Sequence, residues 1–161
     1  MSLRRILFVC IGNAYRSQMA EGFLRQYGGH EWDVHSAGLS PVSYLPRETV
    51  LVMAEKGIDV SRQHPKSLNS LHGVSFDVVV NMSGTPLPPV AGLVEWAVPD
   101  PVGEDMETLR RVRDEIEQRV QRLLIEQRTV RTIESQQAAG RPLIRKRPER
   151  KWDPEGWKRG R

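Results

Sequence analysis

The stretch Phe8-Val9-Cys10-Ile11-Gly12-Asn13-Ala14-Tyr15-Arg16-Ser17 constrains this chain more than any other. Before it stands the apolar run Ile6-Leu7-Phe8-Val9, with the length and composition of a buried strand. After it, Gln18 to Arg25 has helix-forming content. A strand that ends in a thiol, a tight Gly-Asn turn and a helix start bring backbone N–H groups around one point. The spacing therefore describes an anion site with a nucleophile at its floor.

Each residue type suits that task. Gly12 admits a positive φ and Asn13 tolerates one, so the chain can close tightly. Ile11, Gly12, Asn13, Ala14, Tyr15 and Ser17 are expected to supply the loop that binds the anion, with unpaired N–H groups and the helix dipole adding positive charge. Arg16 offers a planar fork that matches two oxygens of a tetrahedral oxyanion. The same field favours the thiolate form of Cys10, the form that attacks. Ser17 is placed to cap the helix or to donate to that sulfur. A lone cysteine after an apolar strand is more often a small buried hydrophobe. The conjunction of strand, Gly-Asn, Arg-Ser and helix is what points beyond that reading.

With 161 residues the chain is expected to form one domain with a proper core. One cysteine leaves no disulfide framework and no all-cysteine metal site, and His30, His35, His64 and His72 lack metal-ligand spacing. No apolar run reaches membrane-spanning length and no signal-peptide pattern opens the chain, so a cytoplasmic protein without membrane insertion is expected. The net charge of +4 is local in origin. Residues 141–161 hold nine Lys/Arg and three Asp/Glu, a balance of +6, which leaves −2 for the other 140 residues. Residues 1–139 are expected to form the domain, and 140–161 a basic extension containing proline, Trp152 and Trp157. Its charge would suit an anionic partner, but a surface-draped tail is the expectation, and nucleic acid is not the expected partner.

Periodicity supplies the remaining elements. Strands are expected at 3–10, at 32–38, over Phe76–Met82 and over 93–98. Helices are expected at 17–27, from Pro46 to a stop at Gly57, and from Asp105 to about Ala139, with one short helix near Ser67. In the last helix Leu109, Val112, Ile116, Val120, Leu123 and Leu124 form an apolar face, and the interleaved Arg and Glu read as a solvated surface. Alternating strands and helices imply an α/β fold with a parallel sheet and helices on both faces. The Cys10 loop would then lie at the carboxyl edge, where such sheets keep their ligands.

Cys10-Ile-Gly-Asn-Ala-Tyr-Arg16-Ser17 resembles the phosphate loop of the low-molecular-weight protein-tyrosine phosphatases, and the continuation Ser17-Gln-Met-Ala-Glu-Gly22 is similar to their relatives, the thioredoxin-coupled arsenate reductases. The resemblance runs from about Leu3 to about Leu124. It implies a three-layer fold around a four-stranded parallel sheet. It also implies a metal-independent, cofactor-free hydrolase acting on a phosphorylated protein or small phosphate ester. Cys10 would attack phosphorus to give a phosphocysteine, Arg16 and the loop amides would hold the oxygens, and Asp100 of Asp100-Pro101 would be the general acid. Ser36 would brace Asn13, Tyr44 would wall the slot, and Trp96 precedes the Asp-Pro pair as in the reductases. The expectation is thus a phosphotyrosine phosphatase.

Departures from the family open an alternative. The reductases pass a disulfide to further cysteines, whereas Asn81-Met82-Ser83-Gly84 carries Ser83 in that region. An internal relay is excluded, and a single-cysteine arsenate reductase using an external thiol, or a thioredoxin-type partner, is the competing reading. Tyr15 stands where the phosphatases carry a second loop cysteine, and Val102-Gly103 replaces their aromatic wall. A non-catalytic phosphate-loop module is a third reading, which the intact Cys10, Arg16 and Asp100 disfavour. Some reductase relatives bind potassium through residues matching Asn13, Glu21 and Ser36 plus a later carboxylate. Here that position falls in His64-Pro65-Lys66, and the Lys66 ammonium is expected to replace the cation.

Overall fold

A computed structural model describes residues 3–140, 151–153 and 156. In chain order the elements are β1 (Arg4–Cys10), α1 (Arg16–Gly28), β2 (Trp32–Gly38), α2 (Arg47–Ala54), β3 (Val78–Asn81), β4 (Leu93–Glu95) and α3 (Met106–Gly140). Single 3₁₀ turns cover Gly29–Glu31 and Leu68–Leu71. The strands form one parallel sheet in the order β2-β1-β3-β4. The chain is a three-layer α/β protein. Its strand order reverses between β1 and β3, and the loop leaving β1 emerges at that switch point, where open sheets leave a crevice.

Residues 6–9 of β1 are fully buried because the strand has an apolar layer on each side. Ile6, Phe8 and Cys10 face the helices and pack with Met19, Phe23, Met53 and Ile116. Leu7 and Val9 face the opposite way, against Ala37, Val79, Leu68, Leu71 and Trp152. Among the described residues the helical cover on this second face is only the 3₁₀ turn at Leu68–Leu71. Between β3 and β4 the chain runs through Pro86, Pro88 and Pro89, which forbid a helix there.

The structure departs from the periodicity most at two boundaries and one side chain. Pro46 lies before α2 with an extended ψ of 140°, so the helix begins at Arg47. β4 stops at Glu95, because the Val98 N–H turns back to the Trp96 carbonyl at 3.1 Å. Arg113, expected on the solvated face of α3, is 7% exposed and donates to Val52 O at 2.9 Å and Glu55 Oε1 at 2.6 Å, tying α3 to the end of α2.

Of the basic extension assigned to 140–161, residues 141–150, 154–155 and 157–161, Trp157 among them, lie outside the described residues. Trp152 is described and is 2% exposed, buried in the second apolar layer. Its N–H donates to Val74 O and its carbonyl accepts from the Gly73 N–H, at 3.1 and 3.2 Å. Among the described residues no helix is long and apolar enough to cross a membrane.

Candidate active site

The loop from Cys10 to Tyr15 spends every one of its carbonyl groups on outside partners. Cys10, Ile11 and Gly12 accept from the N–H groups of Leu39, Ser40 and Val42 at 3.1, 2.8 and 3.0 Å. Asn13 O accepts from Gln18 Nε2 at 3.0 Å, Ala14 O from Thr49 Oγ1 at 2.7 Å, and Tyr15 O from the Met19 N–H at 2.9 Å. In a trans peptide the next residue's N–H points opposite to the carbonyl. Six outward carbonyls therefore turn the amides of Ile11 to Arg16 to the other side of the loop, an arrangement that attracts an anion. Asn13 closes the ring with a φ of 48°. Gly38 allows it to close, since a Cβ there would lie 2.7 Å from Ile11 O and 2.9 Å from Asn13 N.

Cys10 ends β1 at the floor of a cavity of about 240 Å³ lined by Gly12, Arg16, Val42, Asp100 and Val102. The residue is 2% exposed, and its sulfur lies 2.8 Å from Ser17 Oγ. Ser17 is already inside α1, whose N-cap residue Tyr15 makes no side-chain cap, and its hydroxyl is turned to the sulfur. Asn13 Nδ2 donates to Ser17 Oγ at 2.7 Å and to Ser36 Oγ at 3.0 Å. The guanidinium of Arg16 is fixed from behind by Met82 O at 2.6 Å and Val98 O at 3.1 Å, with Nη2 3.4 Å from Asp100 Oδ2. The early end of β4 is what brings the Val98 carbonyl there. Asp100 stands at the mouth with its side chain 40% exposed, and accepts the Val102 N–H at 3.2 Å. The arrangement brings a thiol, a guanidinium, a ring of amides and a carboxylic acid to one cavity.

Two expected supporting residues are elsewhere. Trp96 is 8% exposed in the core against Phe8, with ring centroids 6.0 Å apart, because the turn after β4 points it inward. Tyr44 is 76% exposed and does not line the cavity, whose side walls include Val42, Val102 and Tyr15. Burial and the nearby Glu48, Asp100 and Tyr44 push the Tyr15 phenol above its ordinary pKa. Ser83 Oγ is held in its own turn by Asn81 Oδ1 at 2.6 Å and the Thr85 N–H at 3.0 Å. Sequence reasoning missed Thr49, Gln18 and the 39–42 segment. Nothing local marks them, since their roles come from where the fold packs them.

Residues 5–93 match the family described as low molecular weight phosphotyrosine protein phosphatase. The chain belongs to that family. A glutaredoxin arsenate reductase of Synechocystis sp. is 34% identical over 128 residues, which is 76% of this chain and 97% of that one. Among solved structures, an arsenate reductase in the phosphate binding state superposes with a TM-score of 0.70 at 32% identity, over 77% of this chain and 98% of the other. A low molecular weight protein tyrosine phosphatase from T. tengcongensis gives 0.65 at 29% identity, over 76% and 99%. The family thus holds both activities.

The residues beneath the loop do not fit the potassium ion of some relatives. Asn13 Oδ1 accepts from Gln18 Nε2 at 3.1 Å and from the Lys66 N–H at 2.9 Å, which uses both lone pairs. Ser36 Oγ faces the Asn13 amide. The 64–66 segment contributes an ammonium in place of a carboxylate, with Lys66 Nζ 2.7 Å from His64 O. Burial holds that ammonium below lysine's usual pKa, against the upward pull of Glu21 and with a further downward push from Arg25.

Proposed function

We propose that this chain is an arsenate reductase that uses Cys10 as its only redox thiol and takes its reducing thiols from outside. The observation that carries the reading is the single cysteine in a chain whose relatives include named arsenate reductases, one of them a glutaredoxin arsenate reductase. Cys10 Sγ attacks arsenic(V), held by the loop amides and Arg16, and one arsenate oxygen leaves as water with a proton from Asp100. An external thiolate then attacks Cys10 Sγ. The As–S bonding pair passes to arsenic, which departs as arsenite, and Cys10 is left in a mixed disulfide. A second external thiol releases Cys10, so two thiols become one disulfide as arsenic gains two electrons. Such a cycle suits a reducing compartment such as the cytoplasm. Val42 and Val102 stand at the slot, with Tyr15 the aromatic side chain at its lining. Residues 1–139 carry the chemistry in this reading, and Trp152 fastens the following tail to them.

A second reading is favoured by the family match and by chemical completeness: Cys10, Arg16 and Asp100 suffice to hydrolyse a phosphate monoester, including phosphotyrosine on a protein, and need no second thiol. One pair of assays separates the two. Arsenate with glutathione, with and without glutaredoxin, should yield arsenite and a thiol adduct on Cys10 visible by mass spectrometry. Cys10→Ser should reduce the rate by at least about a thousandfold. Aryl phosphate hydrolysis without arsenite formation would establish the phosphatase instead.

A further inference from the structure

Behind the loop, on the side away from Cys10, lies a hollow of about 440 Å³ lined by Glu21, Arg25, Asp33, His35, Gln63 and Lys66, among others. Glu21 is its anomaly. The residue is 3% exposed, its Oε1 takes Arg25 Nη2 at 3.2 Å, and its Oε2 is buried with no hydrogen-bond partner among the described residues. A buried carboxylate oxygen without a donor is costly, and such a site attracts a cation.

The oxygens beside it are already claimed by the protein's own nitrogens. Asn13 O, Asn13 Oδ1 and His64 O converge on Gln18 Nε2, at 3.0, 3.1 and 3.1 Å. Gln63 Nε2 fixes the orientation of that amide by donating to Gln18 Oε1 at 2.8 Å. Three oxygens at such distances around one point would suit a small cation, and here a carboxamide NH₂ fills the point. Among the described residues the only ammonium at the hollow is Lys66, held on His64 O and facing Glu21 across the hollow without a direct ion pair.

We infer that Lys66 is a built-in counter-cation for the buried Glu21 across the hollow they both line, and that with the Gln18 carboxamide it takes the place of a monovalent metal ion behind the loop. The Lys66 backbone also reaches the site, through two intermediate side chains. Its backbone N–H holds Asn13 Oδ1, whose Nδ2 holds Ser17 Oγ, 2.8 Å from the Cys10 sulfur. The backbone contact belongs to any residue with an N–H, whereas the ammonium makes the protein indifferent to potassium. Removing the ammonium while keeping the backbone N–H should leave an anionic hollow that an alkali cation can enter.

The test is a thermal melt, which does not depend on which activity the site has. The full chain is compared in potassium chloride and in tetramethylammonium chloride at equal ionic strength. The wild type should melt within about 1 °C in the two salts. Lys66→Ala should melt lower, and potassium but not tetramethylammonium should return about 2–4 °C. Lys66→Met, which keeps the apolar stem, should behave alike, and adding Glu21→Gln to either variant should abolish the potassium response. A potassium-specific rise of several degrees in the wild type would overturn the inference. So would equal melting of the Lys66 variants in both salts, or a potassium response that survives Glu21→Gln.

Discussion

Ser17 shows how much one hydroxyl can carry. It receives a hydrogen bond from Asn13 Nδ2 at 2.7 Å and stands 2.8 Å from the Cys10 sulfur, so its own proton is free to point at that sulfur. A hydrogen bond to a charged group is worth about 1.5–3 kcal/mol. Ser17→Ala should therefore slow the step in which Cys10 attacks by about 10- to 100-fold. Because the amides and Arg16 stay in place, the affinity for arsenate or phosphate should change little. Stopped-flow rates together with oxyanion titration separate the two effects, and an equal loss in both would remove Ser17 from this role. Asn13 was readable as a turn residue, but its four side-chain bonds were not, because Gln18, Ser36 and Lys66 come to it from three other segments.

Helices α2 and α3 hold the loop from the outside. Thr49 of α2 fastens Ala14, and Arg113 of α3 fastens the end of α2 through Val52. The start of α3 depends on Asp105, whose Oδ1 accepts the Thr108 N–H at 2.8 Å, a capping bond. That bond, with the Thr108 side chain, holds the Asp105 carboxyl below its usual pKa. The folded protein then binds fewer protons than the unfolded chain as pH falls through the carboxylate range. The stability this group contributes is complete above its unfolded value, near pH 4, and is lost as pH drops through the lower folded value. Asp105→Ala should lower the melting temperature at pH 7 and flatten its decline as pH falls below about 4, in melts recorded from neutral into acid. An unchanged slope would mean that the cap does not form. The apolar positions of α3 were legible from their spacing, whereas the buried Arg113 was not, since arginine reads as surface until a carbonyl is seen to take it.

The molecule as a whole is closed by a residue far from the sheet in sequence. Trp152 fills the second face beside Leu7, Val9 and Val79, where a single 3₁₀ turn and a proline-rich loop leave room. Burying an indole there and then deleting it creates a large cavity. Trp152→Ala should lower unfolding stability by about 3 kcal/mol, and a chain ending at Gly140 should lose a similar amount, both read from urea midpoints. A midpoint equal to that of the full chain would show that the sheet does not need the tail.

The strand, turn and helix around Cys10 were settled by local chemistry: a continuous apolar run, a Gly-Asn pair able to turn, and an arginine six residues from the thiol. The four parallel strands and the family motif follow from the same signals, since periodicity and turn chemistry are properties of neighbours along the chain, whereas the order β2-β1-β3-β4 belongs to the fold. Folding in three dimensions decided the rest. Which carbonyls face outward, where Asp100 and the Val98 carbonyl meet Arg16, why Trp96 points inward and where Trp152 comes to rest depend on contacts between segments tens of residues apart. Such contacts leave no local pattern, because a hydrogen bond or a packed ring records the partner's position in space and not its place in the sequence.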